Sequence, residues 1–248
     1  MPFTPAHPAI ILPLLKLDSR YVSATALIVG AVAPDFEYFL KMDVDSVYSH
    51  TVAGLFYFNL PVTIVLSFLF HEVVKHSLIR NLPPFLQRRF YPFAVFDFRK
   101  YFRSHVLTFA LCSVIGSASH IFWDAFTHRD GYFIKTLPAL YHQSYVPFQG
   151  VNYPLWYALQ HISTFVGLST IAIVVIALQA YPVEVVKPSG KYWWMWLVVV
   201  VVVVLLRFDF NLHAVSIGRF VVSSITACCV AFLVVGVMFF PKGSRPLP

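Results

Sequence analysis

Charge is what this chain has least of. Asp, Glu, Lys and Arg together supply 12% of its 248 residues, about half the share of an ordinary soluble domain. Hydrophobic residues supply 58%, where roughly 45–50% is usual. So little charge excludes a normally solvated surface and points to an integral membrane protein. Cysteine is almost as scarce: Cys112, Cys228 and Cys229 all fall in apolar runs, without metal-type spacing. Adjacent Cys228 and Cys229 are ill-suited to bridge each other, so neither a disulfide framework nor a thiolate metal site is expected. A basic leader is missing too. Pro8 and Pro13 interrupt the short apolar run near the start, and a signal peptide is not expected.

The net charge is +7, but seven of the eighteen basic residues lie between Lys75 and Arg103. A basic block between apolar spans reads as a cytoplasmic loop, and no nucleic-acid motif accompanies it. The expected class is an all-α polytopic membrane bundle of about five spans: 54–70, 105–128, 154–181, 193–206 and 215–240. Pro61 is expected to kink the first. Loop 71–104, broken by Pro83, Pro84 and Pro92 and rich in aromatics, is expected to lie on the membrane surface. The same charge count places 71–104, 182–192 and the end bearing Lys242 and Arg245 in the cytoplasm, and 41–53 and 129–153 outside. The first forty residues admit two layouts. Either 21–40 spans once, or 9–17 and 21–33 form a re-entrant hairpin turning at Asp18-Ser19-Arg20, a form tolerated only against other protein. We expect one integral membrane domain over 1–248, with 1–181 holding the chemistry and 182–248 adding two transmembrane helices.

The chemistry centres on Ser119-His120-Ile121-Phe122-Trp123-Asp124-Ala125-Phe126-Thr127-His128. Residues four apart share a helix face, so His120, Asp124 and His128 are expected to form one stripe at the outer end of an otherwise apolar span. In the expected topology Asp35, Glu37, His50 and His161 gather at the same depth. Ionisable groups inside a membrane are costly and mark function. Imidazole and carboxylate without thiolate suit zinc, with manganese or iron as alternatives. Each group also has a plainer reading: Asp35 after Pro34 as a turn cap, His50 as a helix start, His161 as a satisfied core residue. His71-Glu72-Val73-Val74-Lys75-His76 is a decoy, because histidines five apart point about 140° from each other on a helix. His105 lies ~22 Å along the helix from His120, at the other membrane face.

Met1-Pro2-Phe3-Thr4-Pro5-Ala6-His7-Pro8, Ala33-Pro34-Asp35-Phe36-Glu37-Tyr38-Phe39, Ser49-His50-Thr51 and the stretch from Ser119 to His128 resemble, in that order, a bacterial membrane family catalogued as domain of unknown function 4184. That family is similar to inner-membrane metal-dependent hydrolases regulated by the SOS repressor. More remotely it is similar to zinc-dependent phospholipase C and the single-strand-specific zinc nucleases, helical proteins with a tri-zinc cluster. The resemblance implies a phospholipase-C-like metal core in which Asp35, His50, His120 and Asp124 hold one zinc. Asp124 would bridge to a second that also uses His7. His128 and His161 would stand where a third is held, but neither His142 nor His161 is followed four residues later by a carboxylate. Two zincs are therefore implied. The amine that such enzymes add as a ligand cannot be assumed of Met1. The resemblance also selects the re-entrant hairpin, since a single span would separate His7 from the outward-facing cluster.

The expected function is a membrane-embedded, metal-dependent hydrolase of a phosphoester, a lipid or lipid-linked phosphate, in the bacterial inner membrane with its site toward the outer face. Asp124 would bridge the metals, Glu37 would act as general base or as a partner of the metal ligands, and Arg129 would assist the phosphate. Trp123, Tyr145, Tyr153 and Trp156 would line the way in. The alternatives are a proton or metal-ion carrier, since buried Asp/His chains also form relays, and a non-catalytic scaffold retaining a metal site.

Overall fold

Among the described residues, five stretches are long and apolar enough to cross a bilayer: Leu55–Asn81, Val106–Thr136 (helical to Thr127 and again from Tyr132), Leu155–Ala177, Gly190–Arg207 and Ile217–Met238. The computed structural model describes residues 3–141, 144–209 and 216–240. Met1, His142, Val215, Lys242 and Arg245, all named above, lie outside the described residues. The protein is a predominantly helical, multi-pass membrane protein.

In chain order, a 3-10 segment (Thr4–Lys16) precedes helices α1 (Ala24–Gly30), α2 (Phe36–Lys41), α3 (Leu55–Asn81), α4 (Pro84–Val95), α5 (Phe98–Ser104) and α6 (Val106–Thr127). Then follow α7 (Tyr132–Thr136), α8 (Pro138–Tyr141), strands β1 (Tyr145–Phe148) and β2 (Val151–Pro154), and helices α9 (Leu155–Ala177), α10 (Gly190–Arg207) and α11 (Ile217–Met238). The architecture is that of the expected all-α bundle, with one antiparallel pair, β1–β2, in which Phe148 stands opposite Val151. Gln149 and Gly150 both adopt positive φ, 49° and 79°, the conformation that closes a two-residue hairpin.

Proline explains several local choices. No span forms over 21–40, where the helices run only seven and six residues. The first span does not stop at 70 but continues to Asn81. Pro61 cannot donate to the carbonyl four residues back, and Leu55–Asn59 just before it widens into π turns that absorb the mismatch. Pro92 does not break α4 but sits inside it. The carbonyl it leaves unpaired, Arg88, accepts the backbone N–H of Tyr181 at 3.1 Å instead.

The chain folds as two compact units interleaved in sequence. The first comprises residues 1–35, 47–63 and 105–177. In it α1 lies directly on α6. A Cβ on Gly116 would stand 2.5 Å from the Leu27 carbonyl oxygen, and one on Gly30 would stand 2.6 Å from that of Ser113. Only small residues permit such a crossing. Ser117 Oγ closes it by donating to the Gly30 carbonyl at 3.0 Å. The 3-10 segment is pressed on α9 in the same way, Gly167 facing Ala6.

The second unit comprises residues 36–46, 64–104 and 178–248. There α10 packs on α11, whose Ala227, Ala231 and Val235 are fully buried. Polar pins fix its irregular parts. Gln87 Nε2 donates to the Val186 carbonyl at 2.7 Å while its Oε1 accepts from Val186 N–H at 3.0 Å. Arg219 reaches Asp43 at 3.0 Å.

Candidate metal centre

The close crossing of α1 and α6 fixes the first ligand. It brings the Ala31 carbonyl to His120, whose Nδ1–H donates to it at 2.8 Å. That bond selects the tautomer whose Nε2 carries the lone pair. His120 is fully buried, and among the described residues no hydrogen bond reaches Nε2. One helical turn on, Asp124 stands on the same face, 5% exposed.

Asp35 enters from the 3-10 turn Ala33–Asp35 and is also fully buried. Thr4 Oγ1 donates to its Oδ2, which leaves Oδ1 directed at two histidines. His50, half-buried, is steadied by Ser49 Oγ at 2.9 Å from Nδ1. The Ser49 carbonyl is in turn held by Asn59 Nδ2 at 2.9 Å, from the π turns at the start of α3.

Four atoms therefore converge. His120 Nε2 lies 3.4 Å from Asp35 Oδ1 and 3.3 Å from Asp124 Oδ2. His50 Nε2 lies 3.5 Å from Asp35 Oδ1 and 3.7 Å from Asp124 Oδ2. These separations are long for hydrogen bonds. They are close to the ~3.4 Å edge of a tetrahedron of ligands each ~2.0–2.1 Å from zinc. Asp35 Oδ1, Asp124 Oδ2 and His120 Nε2 are buried without a hydrogen-bond partner among the described residues. Carboxylate oxygens buried and orphaned in this way make a costly arrangement, which a divalent cation held among these donors would relieve. The donor set fits zinc.

His7 approaches the other oxygen of Asp124, its Nε2 3.2 Å from Oδ1. Its Nδ1–H donates to the Thr4 carbonyl at 3.3 Å, and its ring stacks on His120 with centroids 3.8 Å apart. Burial, and then the neighbouring His120 ring, hold its pKa below the usual imidazole value. Burial alone would raise the Asp35 carboxyl, but the His120 and His50 rings facing it outweigh that and hold it below the ordinary carboxylate range. His7, Asp35 and His120 form one group of donors close enough to share an ion; His50, His120 and Asp124 form another.

The remaining sequence candidates belong to neither donor group. The stripe on α6 stops short of His128, because the helix ends at Thr127 and His128 is extended at its cap (φ −92°, ψ 139°). The cause is the turn that follows, where Gly131 packs so closely that a Cβ would meet the Ala125 carbonyl at 2.6 Å. The His128 Nε2 is buried without a hydrogen-bond partner among the described residues, yet it belongs to neither donor group. His161 is exposed on α9 with its ring edge-on to Tyr157, centroids 4.5 Å apart. Arg129 is exposed beside the helix end. Glu37 is buried, but its two oxygens are taken by Lys41 Nζ at 2.7 Å and Ser46 Oγ at 3.0 Å. Of the aromatics, Trp123 meets His7 edge-on at 5.9 Å. Tyr153 and Trp156 pack on Tyr157, and Tyr145 is exposed.

Sequence reasoning assigned nothing to Thr4, Ser49, Asn59 or the Ala31 carbonyl. Only Ser49 had a signal, the Ser-His pair repeated at Ser119-His120. A backbone carbonyl leaves none.

No curated protein and no solved structure matches the chain. The family described as "Domain of unknown function (DUF4184)" matches over residues 1–237, nearly the whole length, and the chain belongs to that family.

Proposed function

We propose that the first unit carries a zinc site that hydrolyses the phosphoester of a membrane lipid or lipid-linked phosphate. The observation behind this is the convergence of Asp35 Oδ1, Asp124 Oδ2, His50 Nε2 and His120 Nε2, whose four imidazole–carboxylate separations run from 3.3 to 3.7 Å. Asp35, His50, His120 and Asp124 would hold one ion. A second would be held by His7 Nε2 and Asp124 Oδ1, which stand 3.2 Å apart, the carboxylate serving both. His7 suits that role because burial keeps its ring neutral and its Nδ1 is already engaged. Manganese or iron would suit the same donors less well than zinc.

When bound, such a pair of ions lowers the pKa of a shared water and offsets charge on phosphoryl oxygens. The chain's own residues do the rest. The Ala31 and Thr4 carbonyls fix the tautomers of His120 and His7, and Thr4 and Ser49 orient Asp35 and His50. Arg129, charged and exposed at the end of the same helical stretch, is the residue for an incoming phosphate. Glu37 is not retained as a base, since both its oxygens are engaged. Phosphoester chemistry and a phospholipase-C-like helical core are part of the proposal. The re-entrant course of residues 8–34 is part of the proposal, since His7 and Asp35 meet although the chain between them leaves and returns. So is the placement of the site at the outer face of the bacterial inner membrane.

Metal analysis and lipid turnover test it together. We expect about two zinc ions per purified chain, lost in His120→Ala and Asp124→Ala, with headgroup or phosphate release from a lipid panel. Absence of bound metal in the wild type would end the proposal. Metal without turnover would turn it into a scaffold, and metal uptake by vesicles without turnover into a carrier.

A further inference from the structure

Beside the metal cluster, the first unit holds a groove of about 500 Å³ along α6, α9 and the 3-10 segment, within the roughly 300–1,000 Å³ usual for small-molecule sites. Its walls include Ile10, Phe122, Trp123, Phe126, Leu159 and Val166. We propose that this groove binds a fatty-acyl chain of a membrane phospholipid whose phosphate is presented to the His/Asp cluster. The inference rests on the hydrolase reading for its orientation, though not for its occupant.

Three observations point to hydrocarbon. First, α6 and α9 are both helices of membrane-crossing length and hydropathy. Phe122 and Val166, on the groove's rim, are 55% and 51% exposed. A concave apolar surface on such helices faces acyl chains, not water. Second, the lining threonines turn their hydroxyls back on their own helices. Thr127 Oγ1 donates to the Trp123 carbonyl at 3.2 Å and Thr170 Oγ1 to the Val166 carbonyl at 2.8 Å, so neither hydroxyl proton is left for a polar ligand. Third, Trp123 is shared. It lines the groove and its ring meets His7 edge-on, so a chain lying in the groove ends within one side chain of the cluster.

Photolabelling tests the occupant without any need for turnover. The full chain is reconstituted in phosphatidylcholine vesicles doped with phosphatidic acid that carries a diazirine at the end of one acyl chain, then irradiated, and the adducts are mapped by mass spectrometry. Adducts are expected on the peptides bearing Phe122, Phe126, Leu159 and Val166. Ser163→Phe and, separately, Leu159→Trp should fill the groove and cut labelling about tenfold or more, with zinc content unchanged. Gly167 is avoided, since a Cβ there would strike Ala6 at 2.8 Å and displace the segment carrying His7. Adducts only outside these peptides, labelling there unchanged in both variants, or crosslinks at these residues to a second copy would overturn the assignment. A labelled groove in a protein that hydrolyses nothing keeps the acyl site and sinks the hydrolase; turnover with an unlabelled groove does the reverse.

Discussion

Thr4 shows how much rests on one hydroxyl. A carboxylate as buried as Asp35 needs every lone pair satisfied, and Thr4 Oγ1 serves Oδ2 so that Oδ1 can face His50 and His120. Partners of metal-binding carboxylates usually change affinity by about 10–100-fold when lost. Thr4→Val, nearly isosteric, should therefore weaken zinc binding by about that factor while Thr4→Ser restores it, read by competition with a chromophoric chelator. If Thr4→Val bound zinc as tightly as the wild type, Asp35 would not be a ligand oriented in this way. The histidines follow the same logic in reverse. His120 and His7 each spend Nδ1 on a carbonyl, so glutamine, which cannot reproduce both bonds, is no conservative replacement at either position.

Between elements, the α1–α6 crossing decides whether the cluster exists. A Cβ on Gly116 would collide with backbone, the Leu27 oxygen at 2.5 Å and the Ala31 nitrogen at 2.9 Å, and backbone gives way less readily than a side-chain tip. Gly116→Val should cost about 1–3 kcal/mol, the usual range for overpacking. It should also lower zinc affinity, because it pushes the Ala31 carbonyl away from His120. Gly190→Ala, with nothing within 4 Å, should alter neither quantity. Thermal unfolding and zinc titration of the two variants decide it, and equal behaviour would mean that the crossing does not position the site. None of this could be read from the order of residues, for a glycine inside a span says nothing about which carbonyl it admits. What could be read were the long apolar runs, since hydropathy over twenty residues reports bilayer thickness directly. The i,i+4 pair His120 and Asp124 was legible from helical period alone. His128 was not placed, because the turn at Gly131 competes with that period. The meeting of His7, Asp35 and His50 with α6 depended on likeness to other proteins, since local pattern carries no information about contacts between residues so distant along the chain.

For the whole molecule, the distribution of the candidate donors between the units sets how it would answer to loss of a bound metal. His7, Asp35, His50, His120 and Asp124 all belong to the first unit. The second holds its buried charges by internal pairing, as with Lys75 Nζ on the Phe96 carbonyl at 2.7 Å. An ion present at a thousand times its dissociation constant stabilises the fold by about 4 kcal/mol, so chelation should loosen the first unit selectively. Hydrogen exchange should rise in Ala24–Gly30 and Val106–Thr127 and stay unchanged in Gly190–Arg207 and Ile217–Met238, with zinc restoring protection. Acid should act in the same direction. The donors must be deprotonated to bind, so at fixed zinc the stabilisation should shrink as pH falls below 6.5, the ordinary imidazole value. Asp35 and His7 are both held below their ordinary values, so their contribution is lost only as pH falls through those lowered values. Uniform loosening of both units on chelation would mean that the ion, if bound, lies outside the cluster at His120.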